Sequence, residues 1–116
     1  MAIKIIDDSI SMNEVKNIAK DYYEEMIKGV VDIQQEIIAL GGEMHADSEE
    51  VLLNNGSKQS DLWGFNILLD KNKDESLIYE SFINIRPRDN NRGIEVQDDL
   101  IRIRMKEIIF KKVIYD

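Results

Sequence analysis

Across residues 63–69 the large apolar side chains of Trp63, Phe65, Ile67 and Leu69 alternate with Gly64, Asn66 and Leu68. Successive side chains of a strand point to opposite faces, so this segment buries its aromatic and aliphatic row only as a strand laid against a core. It is expected at the centre of the fold, and its neighbours must be assigned so as to cover it. Residues 77–86 read as its partner, with Leu77, Tyr79, Ser81, Ile83 and Ile85 on one face and Ile78, Glu80, Phe82, Asn84 and Arg86 on the other. The charged turn 70–75 joins the two as a hairpin, and Pro87, which has no N–H to give to a ladder, ends the second strand.

A short strand is expected at residues 3–6. Ser11 and Glu14 have capping-box spacing, with Ile10 and Val15 in the staple positions around them. Val15, Ile18, Ala19, Tyr22 and Met26 follow at helical intervals, and Gly29 reads as the stop. Helical and extended periods compete over residues 27–40. The β-branched residues favour a hairpin with strands near 28–34 and 36–46, because Ile38, Leu40, Met44 and Ala46 keep a period of two. Asp47 is read as the N-cap of a short helix ending at Gly56, and Asp98 as the N-cap of a last helix running to about Val113, with Ile101, Met105, Ile108, Ile109 and Val113 inward. The expected fold is α+β: an antiparallel sheet of two hairpins plus an N-terminal strand, three helices packed on it, order β-α-β-β-α-β-β-α, and one domain over residues 1–116.

The chain has 116 residues, no cysteine and a net charge of −8. Disulfides, thiolate metal sites and cysteine nucleophiles are therefore excluded, and the acidity disfavours binding to nucleic acid or an anionic membrane surface. No run approaches the roughly 20 apolar residues of a membrane span. The first eight residues have no apolar core of signal-peptide length, so a soluble, cytoplasmic protein is expected. All five arginines lie between Arg86 and Arg104, which makes the last third a positive island.

Three motif-rich stretches stand out: Gly41-Gly42-Glu43-x-His45-Ala46-Asp47; Gly56-Ser57-x-Gln59 followed by Asp61-Leu62-Trp63-Gly64-x-Asn66; and Asn84-Ile85-Arg86-Pro87 with Asn91-Arg92. Together with Val30-Val31-Asp32-Ile33 and Leu52-Leu53, they make the chain resemble a small family of prokaryotic proteins of unknown function. The resemblance spans nearly the whole chain and implies no activity. The family's last helix often opens with proline after its capping aspartate, where this chain has Asp99.

Two constellations could carry chemistry. On an extended strand Glu43, His45 and Asp47 would point the same way, with Asp32 approaching from the paired strand. Such a set could ligate Mn²⁺, Mg²⁺ or Fe²⁺, or serve as catalytic base and proton relay. The plainer reading makes His45 a hydrogen-bonded strand residue, Asp47 a cap and Glu43 a solvated charge. The second constellation is a ligand-binding set of Ser57, Gln59, Asp61, Trp63, Asn66, Asn84, Arg86, Asn91 and Arg92. Guanidinium and amide donors beside an aromatic wall suit a small anionic ligand or a protein partner, although internal ion pairs to Glu43, Glu80 or Asp61 would also use up the arginines.

No phosphate loop, dinucleotide fingerprint, His-Glu-x-x-His or nucleophile elbow is present, and nothing in the spacing favours a triad of Ser57, His45 and Asp61. The expectation is thus a small, non-enzymatic binding domain that requires no cofactor and self-associates. A divalent-metal hydrolase or transferase is the alternative, and the sequence leaves the choice open. Either reading expects His45, Trp63 and the arginines to converge on one concavity.

Overall fold

The computed structural model describes residues 3–115. Its main sheet contains β1 (Lys4–Ile6), β3 (Met26–Asp32), β4 (Ile37–Leu40), β5 (Leu62–Leu68) and β6 (Leu77–Ile78), in the order β1-β4-β3-β5-β6 and antiparallel throughout. Helices α1 (Met12–Ala19) and α3 (Asp99–Lys112) lie on one face and α2 (His45–Asn54) on the other. The expected α+β class and its antiparallel sheet are borne out. Two short strands, β2 (Ile10–Ser11) and β7 (Val113–Ile114), add a parallel pair that ties the start of α1 to the end of α3.

Covering both faces explains why residues 27–40 carry no clean period. Val31, Ile38, Leu40, Trp63, Phe65 and Ile67 meet Val15, Ala19, Met105, Ile108 and Ile109 on the α1/α3 side. On the other side Val30, Ile37, Ala39 and Leu62 pack with Leu52 of α2. All four residues of β4 are buried, as in any strand apolar on both sides.

Several boundaries depart from the sequence reading. The α1 stripe stops at Ala19, and Met26 belongs to β3 rather than to the helix. Gly29 terminates nothing; it sits inside β3, where a Cβ would lie 2.4 Å from Cζ of Phe65, so the glycine makes room for the ring. The strand expected over 36–46 ends at Leu40, because Gly41 (φ 117°) and Gly42 (φ 91°) turn the chain through the left-handed region that glycine adopts without strain. Helix α2 then starts two residues ahead of Asp47. Its N-cap is Met44, and the Asp47 carboxylate reaches back from the third helical position to accept the Met44 N–H at 3.1 Å.

Other local signals hold. Ser11 accepts the Glu14 N–H (3.2 Å), and Asp98 accepts those of Leu100 (2.8 Å) and Ile101 (3.4 Å). At the end of α2, Gly56 N–H bonds Leu53 O and Ser57 N–H bonds Leu52 O, the paired bonds of a Schellman ending.

The strand expected over 77–86 survives only as Leu77–Ile78, paired with Ile67 and Asn66. Beyond it the chain winds through 3₁₀ turns at Phe82–Asn84 and Pro87–Asp89. The reason lies in Asn84, whose buried side chain replaces a strand: its Oδ1 accepts Gly64 N–H (2.8 Å) and its Nδ2 donates to Gly64 O (3.1 Å). One amide thus closes the ladder edge that a continuing strand would have occupied.

The β3–β4 turn is held by Asp32, fully buried, whose carboxylate accepts from Gln34 N (2.9 Å), Gln35 N (2.8 Å), Gln35 Nε2 (3.1 Å) and Ser57 Oγ (2.6 Å). This hub joins the hairpin to the end of α2. Ser57→Ala removes a hydrogen bond to a charged acceptor and should lower the unfolding free energy in urea by about 2 kcal/mol, with Asp32→Ala costing more.

Candidate functional site

His45 occupies the first turn of α2 and is 7% exposed. Its Nε2 lies 2.8 Å from Phe65 O, and a carbonyl only accepts, so this nitrogen carries the proton. Burial pushes the imidazole below its ordinary value near 6.5; the Phe65 carbonyl opposes this, Lys28 adds to the depression and Asn66 opposes it. Asn66 donates to Glu80 O at 3.2 Å and leaves its Oδ1 buried without a partner. The imidazole is therefore neutral at pH 7.

Two adjoining grooves meet at His45. One, of about 260 Å³, is lined by Tyr23, Lys28, Glu43, Met44, His45, Ala46, Ser81, Phe82 and Ile83. The other, of about 190 Å³, shares Lys28, His45, Ser81 and Phe82 and adds Asn66, Glu80 and Ile94. Tyr23 closes one end by donating its hydroxyl to Glu43 O at 2.6 Å.

A separate groove of about 360 Å³ is lined by Gln59, Ser60, Arg86, Pro87, Arg88 and Asp89. Arg86 sits over Trp63, its guanidinium carbon 3.9 Å from the ring centroid, with its side chain 10% exposed. Nη1 donates to Gln59 O at 2.6 Å, while Nε is 3.3 Å from Asp89 Oδ2, an ion contact without hydrogen-bond alignment, and Nη2 is buried with no partner. Burial pushes this guanidinium below its ordinary value, and the carboxylates of Asp89, Glu49 and Asp61 pull it back up.

The expected metal and catalytic set does not form on a strand. His45 and Asp47 sit on a helical turn, Asp47 is committed to the Met44 N–H, Glu43 is exposed before the helix, and Asp32 is committed to its turn and Ser57. Among the described residues no group of three or more His, Asp or Glu is placed to hold a metal ion.

Of the expected ligand set, Gln59 and Arg86 share one groove, with Trp63 beneath the guanidinium. Asp61 is half-buried and accepts Ile33 N–H through its carbonyl. Ser57, Asn84 and Asn91 are buried builders: Asn91 donates to the carbonyls of Asn84, Gly93 and Glu95 and accepts Gln97 N–H. Asn66 belongs to the His45 groove, and Arg92 is exposed. His45 and Arg86 line different grooves, so the imidazole and guanidinium do not share one concavity. The arginine pairs seen are Arg86 with Asp89, Arg102 with Glu95 and Arg104 with Glu36, rather than with Glu43, Glu80 or Asp61.

Sequence reasoning missed Tyr23, Lys28, Met44, Ser81 and Phe82. Alternation over residues 77–86 sets Ser81 and Phe82 on a regular strand, and no local signal announces the turn that brings them to His45.

Because the folded imidazole titrates below the unfolded one, the unfolded chain binds more protons, and stability falls as pH drops from about 6.5 toward the lowered folded value. His45→Gln, which keeps an N–H for Phe65 O, should flatten that part of the profile. Urea midpoints of both proteins at pH 7 and 5 measure it: the wild type should lose more than the variant.

No helix of the described residues is long and apolar enough to cross a membrane. No match was found among curated proteins or among solved structures. A family model described as Protein of unknown function (DUF5674) matches residues 4–112, in agreement with the resemblance carried by the sequence motifs. The chain belongs to that family of unknown function.

Proposed function

We propose that the chain is a small binding domain without catalysis of its own, whose small ligand or protein partner presents a carboxylate or phosphate to the groove between Gln59–Ser60 and Arg86–Arg88. The observation that carries this reading is the state of Arg86: its side chain nine-tenths buried, its guanidinium over an indole, and only one aligned hydrogen bond made. An unmatched donor on a buried charge is costly to folding, and a guanidinium held against an indole and a backbone carbonyl is pre-organised for a planar, two-pronged acceptor. Arg88, exposed on the same groove, adds a second guanidinium, and Gln59 and Ser60 add neutral groups. The incoming anion would take the place of Asp89, whose contact is unaligned. Asn84 and Asn91 serve by fixing the loop. The alternative use of Glu43, His45 and Asp47 with a divalent metal has no comparable support, since two of the three are already committed to backbone groups.

Titration of ¹⁵N-labelled protein with phosphate, citrate and an aspartate-rich peptide tests the proposal through the Arg86 Nε–H and Trp63 indole signals. Saturable shifts at up to millimolar ligand are expected, weakened about tenfold or more by Arg88→Ala and by Arg86→Lys with the fold intact. Unmoved signals with all three probes would overturn it.

A further inference from the structure

The trough at His45 has no part in that proposal, and its composition is unlike that of the arginine groove. Its lips are Met44, 59% exposed, Phe82, 79% exposed, and Ile94, 40% exposed. Single exposed apolar side chains are ordinary on a protein surface, but three bordering one trough are a patch. Phe82 also sits on an anchored stretch of backbone. It opens a 3₁₀ turn in which Ser81 Oγ accepts Ile83 N–H at 3.2 Å, and the turn is anchored two residues later by the buried Asn84.

The trough is made of two adjoining hollows of about 260 and 190 Å³. That size suits single side chains of a partner entering from outside. The charged lining consists of Glu43, Glu80 and Lys28, two carboxylates against one ammonium, with His45 neutral. Helix α2, which brings His45 and Ala46 to the trough, carries Asp47, Glu49 and Glu50 and no lysine or arginine.

We infer that this trough is a docking surface for a segment of another protein that presents a large apolar side chain flanked by lysine or arginine. The apolar side chain would fill the space between Met44 and Phe82, and the flanking cations would meet Glu43 and Glu80. Rim charges of this kind govern partner choice and capture rate, whereas the buried apolar anchor supplies most of the affinity.

Fluorescence anisotropy tests this with two labelled short peptides that share a leucine-phenylalanine centre, one with lysine and arginine at its ends and the other with glutamate and aspartate. The basic peptide should bind about tenfold tighter than its acidic twin, and added salt should narrow the difference. Phe82→Ser should weaken the basic peptide about tenfold, and Glu43→Lys with Glu80→Lys should abolish the preference. Phe82 is exposed, so the serine variant should unfold at the temperature of the wild type, and Arg88→Ala, which disables only the arginine groove, should leave peptide binding unchanged. Absence of binding, equal binding of both peptides, or indifference to Phe82→Ser would overturn the inference. A dimer seen by light scattering and dissolved by Phe82→Ser would overturn it too, by assigning the face to a second copy of the chain.

Discussion

Strand β3 bears the structural weight of this fold. It pairs with β4 on one edge and, over seven consecutive residues from Met26 to Asp32, with β5 on the other. Its side chains are buried alternately under α1 with α3 and under α2. A strand enclosed on both edges and both faces cannot slip by one residue without exchanging its two cores, so the register of the sheet and the seating of all three helices are set together. Asp32 secures the end of this strand by turning the hairpin through its own carboxylate and holding Ser57, whose N–H closes the Schellman ending of α2.

The second organising element is an amide rather than a strand. Asn84 satisfies both backbone groups of Gly64 and thereby lets the chain leave the sheet early. Because the sheet edge is closed by a side chain, the segment that follows is free to form turns, and both candidate sites result. Phe82 is thrown outward beside His45, and Arg86 is laid on Trp63. Asn91 then fixes the returning loop through four hydrogen bonds. Gly64 belongs to the same device: a Cβ there would come within 2.5 Å of Cβ of Ser81, so only glycine allows the turn to pack this closely.

The two grooves are therefore products of one departure from regular structure, yet they differ in chemistry. The arginine groove offers an incompletely satisfied, buried cation on an aromatic plane. The histidine trough offers a neutral imidazole floor, apolar lips and an acidic rim. Their separation leaves His45 and Arg86, drawn from the two most conspicuous features of the composition, in different grooves.

The sequence alone determined the helix caps at Ser11 and Asp98, the glycine ending of α2, the apolar row of β5 and the existence of the β3–β4 hairpin, because each rests on local chemistry or on a periodicity that neighbouring residues carry. Tertiary structure decided the rest. Residues 36–46 alternated convincingly through Ala46, but two glycines with positive φ ended the strand and sent His45 into a helix; residues 77–86 alternated too, but Asn84 found a better use for its amide in contacts twenty residues away in sequence. Alternation reports which side chains could share a face, whereas long-range hydrogen bonds to buried backbone groups decide whether that face is ever built. Lys28 of β3 meets the adjacent pair Ser81 and Phe82 only through packing, and no spacing within the chain encodes such a meeting.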